Sequence, residues 1–121
     1  MTKILLVDDA QTVLLFEKML LSKLGFEFMT ASNGQEALEQ IEQERPALIL
    51  MDYRMPIMDG YTCCKTIKSN AETKDIPVIM VTTISEEEEV QRCFDVGCND
   101  YIFKPFNKQK LLEKIKKFIP E

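Results

Sequence analysis

Five times along the chain, a short apolar run is followed by a stretch in which apolar residues recur at helical spacing. The runs lie near 3–8, 26–30, 47–52, 76–81 and 100–103, and the helical stretches near 10–23, 33–43, 60–69, 85–95 and 107–118. Two runs, Ile4-Leu5-Leu6-Val7 and Ala47-Leu48-Ile49-Leu50-Met51, are apolar at every position. A strand with one wet face alternates in polarity, whereas a strand covered on both faces does not. Strand–helix alternation also favours parallel pairing, because parallel neighbours need a crossover connection. The pattern predicts an α/β domain built on a five-stranded, doubly wound parallel sheet. The joints agree. Gly25 and Gly97 follow helical stretches, where a left-handed residue is wanted. Asn33 with Glu36, and Ser85 with Glu88, fit the pattern of a capping residue followed by an acid, and Asn107 suits the start of the last helix. Pro46 and Pro77 stand at or before strand starts, where a missing N–H matters least.

At 121 residues this is expected to be a single domain, spanning 1–121. The net charge of −5 argues against a dominant nucleic-acid surface. No apolar stretch reaches the roughly 20 residues that span a bilayer, and the N-terminus turns acidic too early for a signal peptide, so a cytoplasmic location is expected. Cys63, Cys64, Cys93 and Cys98 lack zinc-ribbon spacing and read as free thiols. With no histidine in the chain, imidazole bases and ligands are excluded.

The predicted strands end in chemistry. Val7 leads into Asp8-Asp9, Met51 into Asp52, Val81 into Thr82-Thr83, and Phe103 into Lys104-Pro105. In doubly wound sheets, ligands bind outside the carboxyl ends of strands. If the strands are parallel neighbours, three carboxylates, a hydroxyl and an ammonium meet at one edge. Asp8 and Asp9 suit a hard divalent cation, although Asp9 alone would serve as a helix cap. Asp52 is a possible nucleophile, since carboxylates form aspartyl phosphates. Lys104 can pair with Asp52 and then with a phosphoryl oxygen, and Thr82 can donate to one.

These motifs, Val7-Asp8-Asp9, Met51-Asp52-Tyr53-Arg54-Met55-Pro56 with Asp59-Gly60, Val81-Thr82, and Tyr101 through Phe106, resemble the receiver domain of two-component response regulators, the CheY-like family. The resemblance covers essentially the whole chain. It implies the strand order 2-1-3-4-5. It also implies that Asp52 accepts a phosphoryl group from a sensor histidine kinase or histidine phosphotransfer protein. Mg²⁺ would be held by Asp8, Asp9, Asp52 and the backbone carbonyl of Arg54. Thr82 and Lys104 would engage the phosphoryl group, and Tyr101 would act with Thr82 as the switch. A cis peptide bond before Pro105 is implied as well. Arg54 and Ile84 occupy positions where the family tunes phosphoryl lifetime, and their bulk suggests shielding from water.

Partner surfaces are expected at two places. On the first helix, Val13, Phe16, Glu17, Leu20 and Leu24 share one face, Leu15 points nearly opposite, and Leu14 flanks it. Leu15 is therefore a candidate contact for the phosphodonor. The last helix buries Leu111, Leu112, Ile115, Phe118 and Ile119, leaving Lys108, Lys110, Lys114, Lys116 and Lys117 beside the Glu86–Glu89 run. That surface could meet a second receiver or a downstream protein. The leading expectation is a stand-alone signalling receiver with self-catalysed phosphoryl chemistry. Its rivals are a receiver from a longer regulator, a degenerate binding module, and an aspartate-nucleophile phosphatase. The last commonly needs an acid where this chain has Arg54.

Overall fold

The computed structural model describes residues 2–119, apart from the side chain of Ile84. The closing Pro120-Glu121 lie outside the described residues. The strands are β1 (Lys3–Val7), β2 (Glu27–Ala31), β3 (Leu48–Asp52), β4 (Val78–Thr82) and β5 (Asp100–Phe103). The helices are α1 (Gln11–Lys23), α2 (Gly34–Gln43), α3 (Gly60–Ser69), α4 (Glu87–Asp95) and α5 (Lys108–Lys116), with a 3-10 turn at Ile84–Glu86 before α4. All strand pairs are parallel, in the order β2-β1-β3-β4-β5. The fourth strand starts later than the apolar run, because Ile76 belongs to the preceding turn, donating its amide to Thr73.

Strand parity divides the core. Leu5, Val7, Ile49, Met51, Val78 and Met80 face α2, α3 and α4, whereas Ile4, Leu6, Leu48, Leu50, Ile79 and Val81 face α1 and α5. β1, β3 and β4 are buried at almost every position, as expected of strands covered on both sides. The four cysteines are free and buried. Burial pushes the thiols of Cys63, Cys93 and Cys98 up to about 12 and that of Cys64 to about 11, which keeps them protonated.

Three helix expectations need correction. On α1 the buried stripe is Leu14, Glu17, Leu20 and Leu21, with Phe16 partly exposed against Phe106. Apolar residues at 13 through 16 make the phase of this helix ambiguous from spacing alone. Before α4, the capping residue is Thr83, reciprocated by Glu86, rather than Ser85 with Glu88. The hydroxyl nearest the strand end closes the turn first. On α5, Leu111 and Ile115 are buried, Leu112 is half-buried, and Phe118 and Ile119 pack after the helix has ended. Lys114 and Lys117 are not spare surface charge: both pair with buried Asp100, at 3.0 and 3.1 Å. Burial alone would raise the Asp100 pKa, but the Tyr101 amide and the two lysines outweigh it and hold it low.

Gly60 is where the fold fixes the geometry of the acceptor strand. Its amide donates to Tyr53 at 2.8 Å, and an added Cβ would lie 2.1 Å from the Asp52 carbonyl oxygen. No side-chain adjustment relieves a clash with backbone. Gly60→Ala is expected to lower stability by about 2 kcal/mol, read from the urea midpoint. An unchanged midpoint would contradict this close approach.

Candidate functional site

The register sets the strand ends side by side. Val7 pairs with Met51, Asp52 with Val81, and Thr82 with Phe103. The Lys104 amide then donates to the Thr82 carbonyl at 2.7 Å. Asp8 and Asp52 share parity with Leu6 and Leu50, so they emerge on the α1–α5 face, while Thr82 lies on the α3–α4 face with Met80.

Carboxylate oxygens of Asp8, Asp9 and Asp52 lie within 4.8 Å of one another, with Asp8 and Asp52 buried and Asp9 exposed. Lys104 Nζ sits 3.1 Å from Asp52 Oδ1 and 3.3 Å from Asp8 Oδ2. The other Asp8 oxygen accepts the Ala10 amide at 2.9 Å, which ties the acid to the start of α1. Burial and the neighbouring Asp8 push Asp52 up to about 6, against the opposing pull of Lys104. Burial lowers Lys104, but Asp52 and Asp8 prevail and hold it above its ordinary range. One ammonium therefore serves two of three converging carboxylates. A hard-oxygen set with surplus negative charge suits Mg²⁺, which takes few protein ligands and keeps several waters.

Thr82 is fully buried, and its Oγ1 has no hydrogen-bond partner among the described residues. A buried hydroxyl left unbonded is costly, so Thr82 is ready to bond a group that arrives at the edge. Tyr101 pairs in register with Met80, on the same face as Thr82. Its half-buried ring stands edge-on to Phe94 and lies under the Lys114 ammonium, 4.9 Å from the ring centre. The Lys104–Pro105 bond is cis, as the resemblance implied.

The structure thus brings the carboxylates of Asp8, Asp9 and Asp52 together, pairs Lys104 with Asp8 and Asp52, and places Thr82 and Tyr101 on the opposite face. It adds Glu17, to which the sequence reading gives no role, and it corrects Glu86, which that reading places on a surface acidic run. Glu17 is 1% exposed on α1, and burial followed by Asp8 pushes its carboxyl up to about 8. An acid within an apolar helical stripe was the available signal. Glu86 is buried and bonded to Arg54. The Arg54 side chain is 72% exposed and turned to Glu86 and Glu89. The side chain of Ile84 lies outside the described residues.

The response regulator receiver domain family matches residues 4–116, and the chain belongs to that family. It is 39% identical to chemotaxis protein CheY1 of Helicobacter pylori over 115 residues, covering 93% of each chain. It is 36% identical to protein PilG of Pseudomonas aeruginosa over 118 residues, covering 98% of this chain and 87% of PilG. Against the probable transcriptional regulator ycf27 of Pyropia yezoensis, 36% identical, it covers 94% of itself but spans 46% of that relative. A putative response regulator from Chloroflexus aurantiacus superposes with a TM-score of 0.92 at 35% identity, covering 97% and 96% of the two chains. The receiver domain of a Pseudomonas aeruginosa sensor histidine kinase, solved with a magnesium ion in its active-site cleft, superposes at 0.90 with 29% identity and coverage of 99% and 98%. The chain is therefore a two-component signalling receiver domain.

The raised Asp52 pKa has a pH signature. Its carboxyl favours the proton more when folded, about 6 against an ordinary 3.8. Its stabilising contribution is complete below the lower value and lost as pH rises through the upper one. Without divalent cations, Asp52→Asn should raise the urea midpoint at neutral pH, and this gain should fade as pH falls from about 6 toward about 4. Unfolding curves of both proteins across that range provide the check.

Proposed function

We propose that Asp52 is the phosphoacceptor of a single receiver domain spanning the chain. Its donor is a sensor histidine kinase or a histidine phosphotransfer protein, and its location is the cytoplasm. The observation that carries this reading is the convergence of the Asp8, Asp9 and Asp52 carboxylates, with the Lys104 ammonium paired to Asp8 and Asp52. An Asp52 oxygen attacks phosphorus, the donor's phosphorus–nitrogen bond breaks, and the leaving imidazole keeps the bonding pair and takes up a proton. The product is an acyl phosphate on Asp52.

Asp8, Asp9, Asp52 and the Arg54 carbonyl would hold Mg²⁺, which when bound offsets charge on the phosphoryl oxygens. Lys104 exchanges part of its carboxylate pairing for a phosphoryl oxygen. Thr82 supplies its unused hydroxyl to another. Tyr101, on the same face, follows Thr82 inward. Phosphorylation biases two arrangements of the 82–90 and 101–106 segments by its unequal contacts with them. Output runs through contact with a downstream protein or a second receiver. Hydrolysis of the acyl phosphate within the same site resets the switch.

Incubation with Mg²⁺ and acetyl phosphate, followed by intact mass, tests the reading. Wild type should gain one phosphoryl group and Asp52→Asn none; a folded wild type without the gain would remove Asp52 from the acceptor role. Leu15, 64% exposed on α1, supports donor docking along that helix. Leu15→Glu should slow transfer from the cognate kinase while sparing transfer from acetyl phosphate. Equal slowing of both would place its effect elsewhere.

A further inference from the structure

The loops that follow Asp52 and Thr82 are joined by one buried carboxylate. Glu86, 6% exposed, sits in the 3-10 turn after β4. Its Oε1 accepts the Thr83 amide at 3.0 Å, and its Oε2 accepts Arg54 Nε at 2.5 Å. The Glu86 amide in turn donates to the Thr83 carbonyl at 2.9 Å. A second Arg54 nitrogen lies 3.7 Å from Glu89 Oε1 at the start of α4. Thr83 directly follows Thr82, and Arg54 stands two residues past Asp52. β3 and β4 are paired neighbours, with Asp52 opposite Val81. A single side chain therefore bridges the backbone of the hydroxyl-bearing strand end and the guanidinium beside the acceptor.

This bridge has a direction. Drawing the unpartnered Thr82 hydroxyl toward a phosphoryl oxygen moves the peptide that it shares with Thr83, and so pulls the amide that Glu86 accepts. A phosphoryl group on Asp52 also offers Arg54 a more highly charged acceptor than a carboxylate. Both changes weaken the hold on Glu86, and each makes the other easier. We propose that Glu86 is a positioning residue: through Arg54 and Thr83 it latches the two loops in the resting arrangement, and phosphorylation of Asp52 opens the latch. The proposal rests on Asp52 as the acceptor. It gives Arg54 a part in restraining the switch, distinct from shielding the phosphoryl group.

Glu86→Gln separates the two bonds, because glutamine serves the same reciprocal cap as glutamate but carries no charge for Arg54. The phosphorylation rate with Mg²⁺ and acetyl phosphate is measured for wild type, Glu86→Gln, Arg54→Gln and the double variant. Hydrogen exchange of amides 82–90 is followed in the unphosphorylated proteins. Glu86→Gln should react about fivefold faster, the scale of a half-exposed ion pair. The double variant should react no faster than Arg54→Gln, the mark of a shared interaction. Exchange at 82–90 should quicken in all three variants while β1 and β3 stay protected. A side chain that merely stabilised the fold would slow the reaction when altered.

If wild type takes up phosphoryl but Glu86→Gln matches it in both rate and exchange, there is no latch. A slower Glu86→Gln would mean that the bond supports the active arrangement, which also overturns the proposal. If wild type takes up no phosphoryl, the acceptor reading has failed, and exchange at 82–90 still decides whether the bond restrains the loop.

Discussion

Crowding of like charge at the carboxyl edge of the sheet is the constraint to which the rest of the site answers. Asp8 and Asp52 emerge from neighbouring buried strands onto one face, so backbone pairing leaves them little freedom to separate. Lys104, one residue beyond β5, supplies the single ammonium between them. The cluster remains short of positive charge, as the raised Asp52 pKa records. That deficit is the functional asset. In the proposed mechanism, a cation and a phosphoryl group together complete what the protein leaves incomplete, and the energy released is available to move the surrounding loops.

The sheet separates the chemistry from its transmission. Charge gathers on the α1–α5 face, where Glu17 lies in the same apolar layer that supports the cluster. The hydroxyl and the aromatic side chain stand on the opposite face, where Thr82 has an unspent hydrogen-bonding atom and Tyr101 has packing on several sides. The two faces meet where β4 ends. There Glu86 ties the threonine segment back to the acceptor loop. In the proposed latch, a change of charge on one side of the sheet reaches the packing on the other through this short chain of hydrogen bonds.

Much of this was legible in the residues. Apolar runs without alternation mark strands buried on both faces, and the polar residues just past them mark an edge that binds something. Where the reading missed, several local solutions fit equally well. Ser85 with Glu88 and Thr83 with Glu86 both satisfy the capping pattern, and only the actual end of β4 chooses between them. Four consecutive apolar residues on α1 allow more than one buried stripe, and docking on the sheet selects Leu14 over Phe16. Lys114 and Lys117 look like surface charge until α5 settles over buried Asp100.

By itself, the sequence determined the alternation of strand and helix, the burial of the strands and the residue types at their ends, because these follow from local periodicity and side-chain chemistry. Tertiary structure alone decided which side chains share a charge. The distances from Lys104 to Asp8 and Asp52, the isolation of the Thr82 hydroxyl and the bond from Arg54 to Glu86 join residues far apart in the chain. No local pattern specifies such meetings. They arise when the register of five parallel strands aligns their ends and the helices choose which face to cover.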